Sequence, residues 1–228
     1  MRKIVLLVGV VLFVSLVIVM QVSAVTVDDI IGRLEESQNS VKDMSADVVM
    51  EISIPEKTIT QEMRMWSKGD KTKIKMVNTE HPMTVIMDKE KMTIKQADRL
   101  KTEDRRPKTT DLTALNGKMG DFLRNSKTNI VKEEGNEITL SVIPEEANPL
   151  MQKVDMVIDM EKGVITQQKM YSNMGVSFCK MEYEKNSDIW VLKRFTMTSS
   201  FGQMGTSTVK AEYKDVKVNK GIGDEMFK

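Results

Sequence analysis

The hydrophobic period of the chain changes once, early. Between Thr26 and Met44 the residues Ile30, Ile31, Leu34, Val41 and Met44 recur at helical spacing, and Thr26 with Asp29 three residues on resembles a capping box. The spacing predicts an amphipathic helix whose polar side carries Arg33, Glu35, Glu36 and Lys42, so its apolar stripe must lie on something. Beyond it the period is two: Ala46, Val48, Met50, Ile52 and Ile54 alternate with Asp47, Glu51 and Ser53 until Pro55.

Further strands are predicted at Thr58 to Lys68 and, after the Gly69-Asp70 turn, at Lys71 to Val77, with a hairpin of Met83 to Asp88 and Lys91 to Lys95 across Lys89-Glu90. Gln96 to Asp111 breaks the pattern. It mixes Arg99, Lys101, Arg105, Arg106 and Lys108 with Asp98, Glu103, Asp104 and Asp111 around Pro107, and reads as an exposed loop. Leu112, Leu115, Met119, Phe122 and Leu123 then share one helical face, with Asp111 as N-cap. Strands resume near Asn129 to Glu133 and Glu137 to Ile143, then at Val154 to Met160, Gly163 to Ser172, Ser177 to Glu184, Trp190 to Thr198 and Thr206 to Val218.

The fold class that follows is mainly β: an incomplete, half-open antiparallel barrel of about ten or eleven strands with helices covering the mouth. Two helices laid there would roof an interior too wide for strand side chains to fill, leaving a cavity.

The leading segment lies outside this domain. Arg2 and Lys3 precede an uncharged run from Ile4 to Met20 that ends at Val22-Ser23-Ala24. This reads as a secretory signal peptide over residues 1–24, with the domain at 25–228, or as an uncleaved anchor, since the run reaches the lower limit for a membrane span. Either places the domain outside the cytoplasm, in a periplasm or at the cell surface. Without Arg2 and Lys3 the 34 basic residues fall one short of the 33 acidic ones, so no strong field recruits nucleic acid. Cys179 is the one cysteine and has no internal disulfide partner. Methionine is abundant, 20 residues against six Phe, three Tyr and two Trp. Its pliable thioether suits a promiscuous apolar pocket, or it takes the place of leucine in an ordinary core.

Several local sequences resemble the periplasmic lipoprotein-carrier family (LolA/LolB-like, the outer-membrane lipoprotein-sorting type). The ending from Tyr213 to Phe227 is similar to that family's last strand and its closing Asn, small-residue and Phe pattern, and Ile143-Pro144 followed by Val154 to Asp159 is similar to its second-half edge strand. The resemblance implies an unclosed barrel lidded by helices, with an apolar cavity for the acyl chains of lipids or lipoproteins, and transfer without chemistry. Sister members act as envelope sensors, which would pair the chain with a membrane-protein partner; a membrane-protein donor or acceptor is implied for a carrier. Such carriers place an arginine before a proline near the end of the second-strand region. Lys68-Gly69-Asp70 lacks both here, and Arg64 could substitute if it faced inward.

The residues expected to line the cavity are Met63, Met65 and Trp66 on the second strand, Ile74 and Met76 on the third, Val85, Met87 and Ile94 in the next hairpin, and Leu115, Met119, Phe122 and Leu123 on the lid helix. Equally, they could fill a dry core. Burying acyl carbons at roughly 0.8 kcal/mol per CH₂ would give affinity with little chemical selectivity. Enzymatic chemistry is not expected. His81 sits before Pro82 in a loop, and no serine or cysteine lies in a nucleophile elbow. The acidic pairs Asp28-Asp29, Glu35-Glu36, Glu133-Glu134 and Glu145-Glu146 fall on helix and turn positions where solvated charge is usual, so no metal or cofactor is implied. The chain is expected to be monomeric.

Overall fold

A computed structural model describes residues 25–77, 82–88, 91–96, 99–104, 119–146, 149–202 and 205–228, with 99–104 described as backbone. Helix α1 (Val27–Ser40) leads into β1 (Asp43–Ile54), β2 (Lys57–Lys68), β3 (Lys71–Val77), β4 (Met83–Met87), β5 (Lys91–Gln96) and β6 (Arg99–Asp104). The short helix α2 (Met119–Arg124) follows. Then come β7 (Ser126–Glu134), β8 (Glu137–Pro144), β9 (Lys153–Asp159), β10 (Val164–Ser172), β11 (Gly175–Asn186), β12 (Ile189–Ser200), β13 (Thr206–Val218) and a 3₁₀ turn, η1 (Asp224–Phe227).

The strands form one 13-stranded sheet in the order β6-β5-β4-β3-β2-β1-β13-β12-β11-β10-β9-β8-β7. Every pairing is antiparallel, and all but β1 with β13 join neighbours in sequence. The two edges, β6 and β7, do not pair with each other, so the barrel stays half open.

Two expectations need correction. The stretch read as a loop after Gln96 contains β6, which pairs with β5 along its whole length from Lys91 opposite Asp104 to Gln96 opposite Arg99. Backbone hydrogen bonds build this edge strand, and an Arg-Leu-Lys-Thr-Glu-Asp composition carries no apolar alternation by which to find it. With this edge strand the sheet has 13 strands, more than the ten or eleven expected. The first helix, expected to reach Met44, ends at Ser40.

The early stop has a structural cause. Asn219, just after β13 and at φ 54°, donates from Nδ2 to the Ser40 carbonyl at 2.8 Å and accepts the Lys42 N–H at 2.7 Å on Oδ1. Asp43, 6% exposed, accepts the N–H groups of Lys220 and Gly221 on its two carboxylate oxygens at 2.9 and 3.0 Å, and its carbonyl accepts the Asn219 N–H. These bonds satisfy the helix C-terminus with the chain's own ending and turn Val41 into extended backbone. At the other end Thr26 and Asp29 form the predicted capping box.

Both helices lie over one half of the inner face. Ile30, Ile31 and Leu34 of α1 and Met119 and Leu123 of α2 share a buried cluster with Ile138, Leu140 and Val142 of β8, Val154, Met156 and Ile158 of β9, and Ile165 of β10. Arg124 holds the helices together, its Nη1 and Nη2 donating to the two oxygens of Glu35 at 2.6 and 2.9 Å. Arg33 donates from Nε to the Met160 carbonyl at 3.0 Å, fixing α1 to the β9–β10 turn. There Gly163, at φ 67°, brings its backbone so close to the helix that an added Cβ would sit 2.9 Å from the Arg33 carbonyl oxygen.

Candidate functional site

Away from the helices the inner face is built from cross-strand rows. Ala46, Met65, Ile74, Val85 and Ile94 stand directly opposite one another across β1 to β5. Val48, Met63 and Met76 form a second row. Met44, Ser67, Thr72, Met87 and Met92 form a third. Strand alternation adds Met50 of β1 and Met83 of β4 to the same face. The rows change type at the edge: the β6 positions opposite Met92 and Ile94 are Glu103 and Lys101.

Burial separates the two halves. Under the helices Leu140, Met156 and Ile158 are fully covered. Among the hydrophobic residues of the β1–β5 wing only Ala46, Val48 and Met63 are buried, and Met65, Ile74, Met76, Val85, Met87 and Ile94 are all half-exposed. A row of apolar side chains left this open is the face of the sheet able to accept an apolar ligand. Methionine dominates it, so its surface is both uncharged and able to re-pack.

The sheet's centre continues the face without charge. Tyr213 and Ala211 of β13 oppose Val48 and Met50, and Phe195 of β12 opposes Ala211 and then Met181 of β11. Burial pushes the Cys179 thiol up to about 12 and raises the Tyr183 and Tyr213 hydroxyls, so these groups stay neutral. The Tyr183 hydroxyl donates to the Ile165 carbonyl at 2.9 Å. Among the described residues no group of three or more His, Cys, Asp or Glu side chains could hold a metal ion.

Of the residues expected to line the cavity, the structure brings Met63, Met65, Ile74, Met76, Val85, Met87 and Ile94 together on this face. Trp66 is on the other side of the sheet. It pairs with Ser45 and Lys73, and two consecutive strand residues cannot point the same way. Met119 and Leu123 are 2% and 1% exposed in the helix-covered core, with Phe122 half-buried beside them. Leu115, with Leu112 and the Asp111 cap, lies outside the described residues, as does His81. Met44, Met50, Met83 and Met92 were not among the residues expected to line the cavity, although strand alternation places them on the same face.

Trp66 instead walls an outer cleft of about 400 Å³ with Ser45, Asp47, Arg64, Asp215 and Lys217. A bulge between Ser45 and Asp47, where Asp215 takes φ 48°, opens it. Arg64 also faces outward, donating to both oxygens of Asp47, Nη2 to Oδ2 at 3.1 Å. That bidentate bond holds the Asp47 carboxyl below its ordinary range. Arg64 therefore does not supply an inward latch.

No family model matches the chain, and no curated protein matches its sequence. Solved structures do match it. A LolA superfamily protein from Nitrosomonas europaea aligns over 90% of this chain and 98% of its own, at 14% identity and a TM-score of 0.65. A DUF1329 family protein from Desulfovibrio piger aligns over 88% and 95%, at 14% identity and 0.66. A putative outer membrane lipoprotein-sorting protein domain from Vibrio parahaemolyticus aligns over 86% and 95%, at 17% identity and 0.63. The chain thus shares a half-open barrel fold with these LolA superfamily, DUF1329 and lipoprotein-sorting structures, and the likeness is one of fold. No helix among the described residues is long and apolar enough to cross a membrane.

Proposed function

We propose that this protein is a non-enzymatic, extracytoplasmic carrier that shelters the acyl chains of lipids or lipoproteins against the inner face of β1–β5. The observation that carries the reading is the contrast between the sheet's two halves. One is closed by helices over a buried core, and the other offers an uncharged, half-exposed face rich in methionine. An acyl chain laid there would gain roughly 0.8 kcal/mol for each CH₂ removed from water, with no charged or catalytic group required. Methionine would let one face fit chains of different length and branching. The N-terminal segment, read as a secretory signal, supports a site of action beyond the cytoplasm, where acyl groups in transit need such cover. The shared fold with a lipoprotein-sorting domain supports the same reading.

The test is native mass spectrometry of protein purified from a membrane-bearing host without detergent, followed by organic extraction and titration with a fluorescent fatty-acid probe. Wild type should carry or take up one or more acyl chains. Ile74→Asn and Met76→Asp should weaken probe binding at least about tenfold with unchanged circular dichroism, whereas Trp66→Ser on the outer face should leave it intact. Protein that is empty as purified and ignores added probe would rule out the carrier.

A further inference from the structure

Met63 and Met76 are direct cross-strand partners, and Met65 is two residues from Met63 on the same face and diagonal to Met76. Directly opposed Cβ atoms stand about 5 Å apart and diagonal ones about 7 Å. Each thioether sulfur lies two bonds beyond its Cβ on a chain with freely chosen rotamers, so three sulfurs so arranged can converge on one point above the sheet. Met83 approaches the same point. It lies one residue past the last registered pair of β3 with β4, Lys75 opposite Thr84, just as Met76 does on the partner strand. Three thioethers from two adjacent strands can therefore reach one position, with Met83 of the next strand beside it.

We infer that this cluster is a binding site for a soft monovalent d¹⁰ cation, Cu(I) or its analogue Ag(I), held by Met63, Met65 and Met76 with Met83 at the rim. Thioether sulfur selects such ions over hard or borderline ones. Charge sharpens the choice. All four ligands are neutral, and the neighbouring positions Ala46, Val48, Ile74 and Val85 are apolar. The cost of moving an ion into such surroundings grows with the square of its charge, so a doubly charged ion that no carboxylate or thiolate compensates is excluded. Access is open. Met65, Met76 and Met83 are half-exposed, while Met63, 8% exposed, forms the floor. The site does not depend on acyl binding and is measured on lipid-free protein.

Silver nitrate is titrated in chloride-free buffer into methionine methyl-¹³C-labelled protein carrying Cys179→Ala, so that the thiol does not compete. One Ag(I) per chain should bind and shift the methyl resonances of Met63, Met65, Met76 and Met83, leaving the buried Met119, Met151 and Met156 unmoved. Met63→Leu with Met76→Leu should weaken Ag(I) binding at least tenfold without changing the circular dichroism or Tm. The single change Met65→Leu carries the same comparison, with a smaller loss, should the double variant fold poorly. Equal affinity in wild type and the Leu variants, shifts spread over methionines throughout the molecule, or Zn(II) producing the same shifts would each overturn the assignment.

Discussion

Asn219 fixes the junction between α1 and β13 with one side chain. Its amide donates to the Ser40 carbonyl and accepts from the Lys42 N–H, while its backbone occupies the left-handed region that Asn tolerates better than most residues. Asn219→Ala should lower stability by about 2–3 kcal/mol in urea unfolding, since it strands two backbone groups and adds strain. Asn219→Gly relieves the strain and not the lost bonds, so it should recover less than half of that. The C-terminal Asn was legible as part of a familiar ending, but its partners were not: 179 residues separate it from Ser40 in sequence. Trp66 teaches the opposite lesson. Alternation alone forbids Met65 and Trp66 from sharing a face, so its outward placement was available from the sequence, and hydrophobicity outweighed parity in reading it.

At the scale of elements, the two helices act as one lid because Arg124 clamps Glu35. The hydrogen bond from Arg124 holds the Glu35 carboxyl below its ordinary value of 4.5. A carboxyl whose pKa is lowered on folding adds stability that is fully present above 4.5 and is lost as pH falls through the lowered value. Glu35→Gln should therefore lower Tm at pH 7 and narrow the gap between variant and wild type as pH drops below 4.5, which thermal melts across that range would record. Helix α1 was readable because its cap and its stripe of Ile30, Ile31 and Leu34 are local signals. What it would cover was not readable. An apolar stripe says that a partner exists, and only the assembled sheet shows that β8, β9 and β10 are that partner while β1–β5 lie outside the cluster. Strand β6 escaped notice for a related reason, since edge pairing is a backbone property that charged side chains conceal.

Across the whole molecule this asymmetry should appear as uneven local stability. Amides of β3, β4 and β5 should exchange with solvent at least about tenfold faster than those of β8, β9 and β10, and added fatty acid should slow the first set selectively, as hydrogen exchange with mass spectrometry would show. Uniform protection along the sheet would contradict the division into a closed and an open half. The barrel class was legible from the number and spacing of strands; the division within it was not, because identical alternation marks a buried face and a partly exposed one.

The pairing of β1 with β13 has a consequence for how the molecule is made. All the other strand pairs join sequence neighbours and close small loops, so each half-sheet can zip up as it emerges. The central seam alone waits for the final strand. Until residues 206–218 leave the synthesis or export machinery, β1 and β12 each present a bare rim of peptide groups at what will become the middle of the protein. A polypeptide released before β13 was made would be two sheets with adhesive borders, so completing that strand is also the protection against self-association.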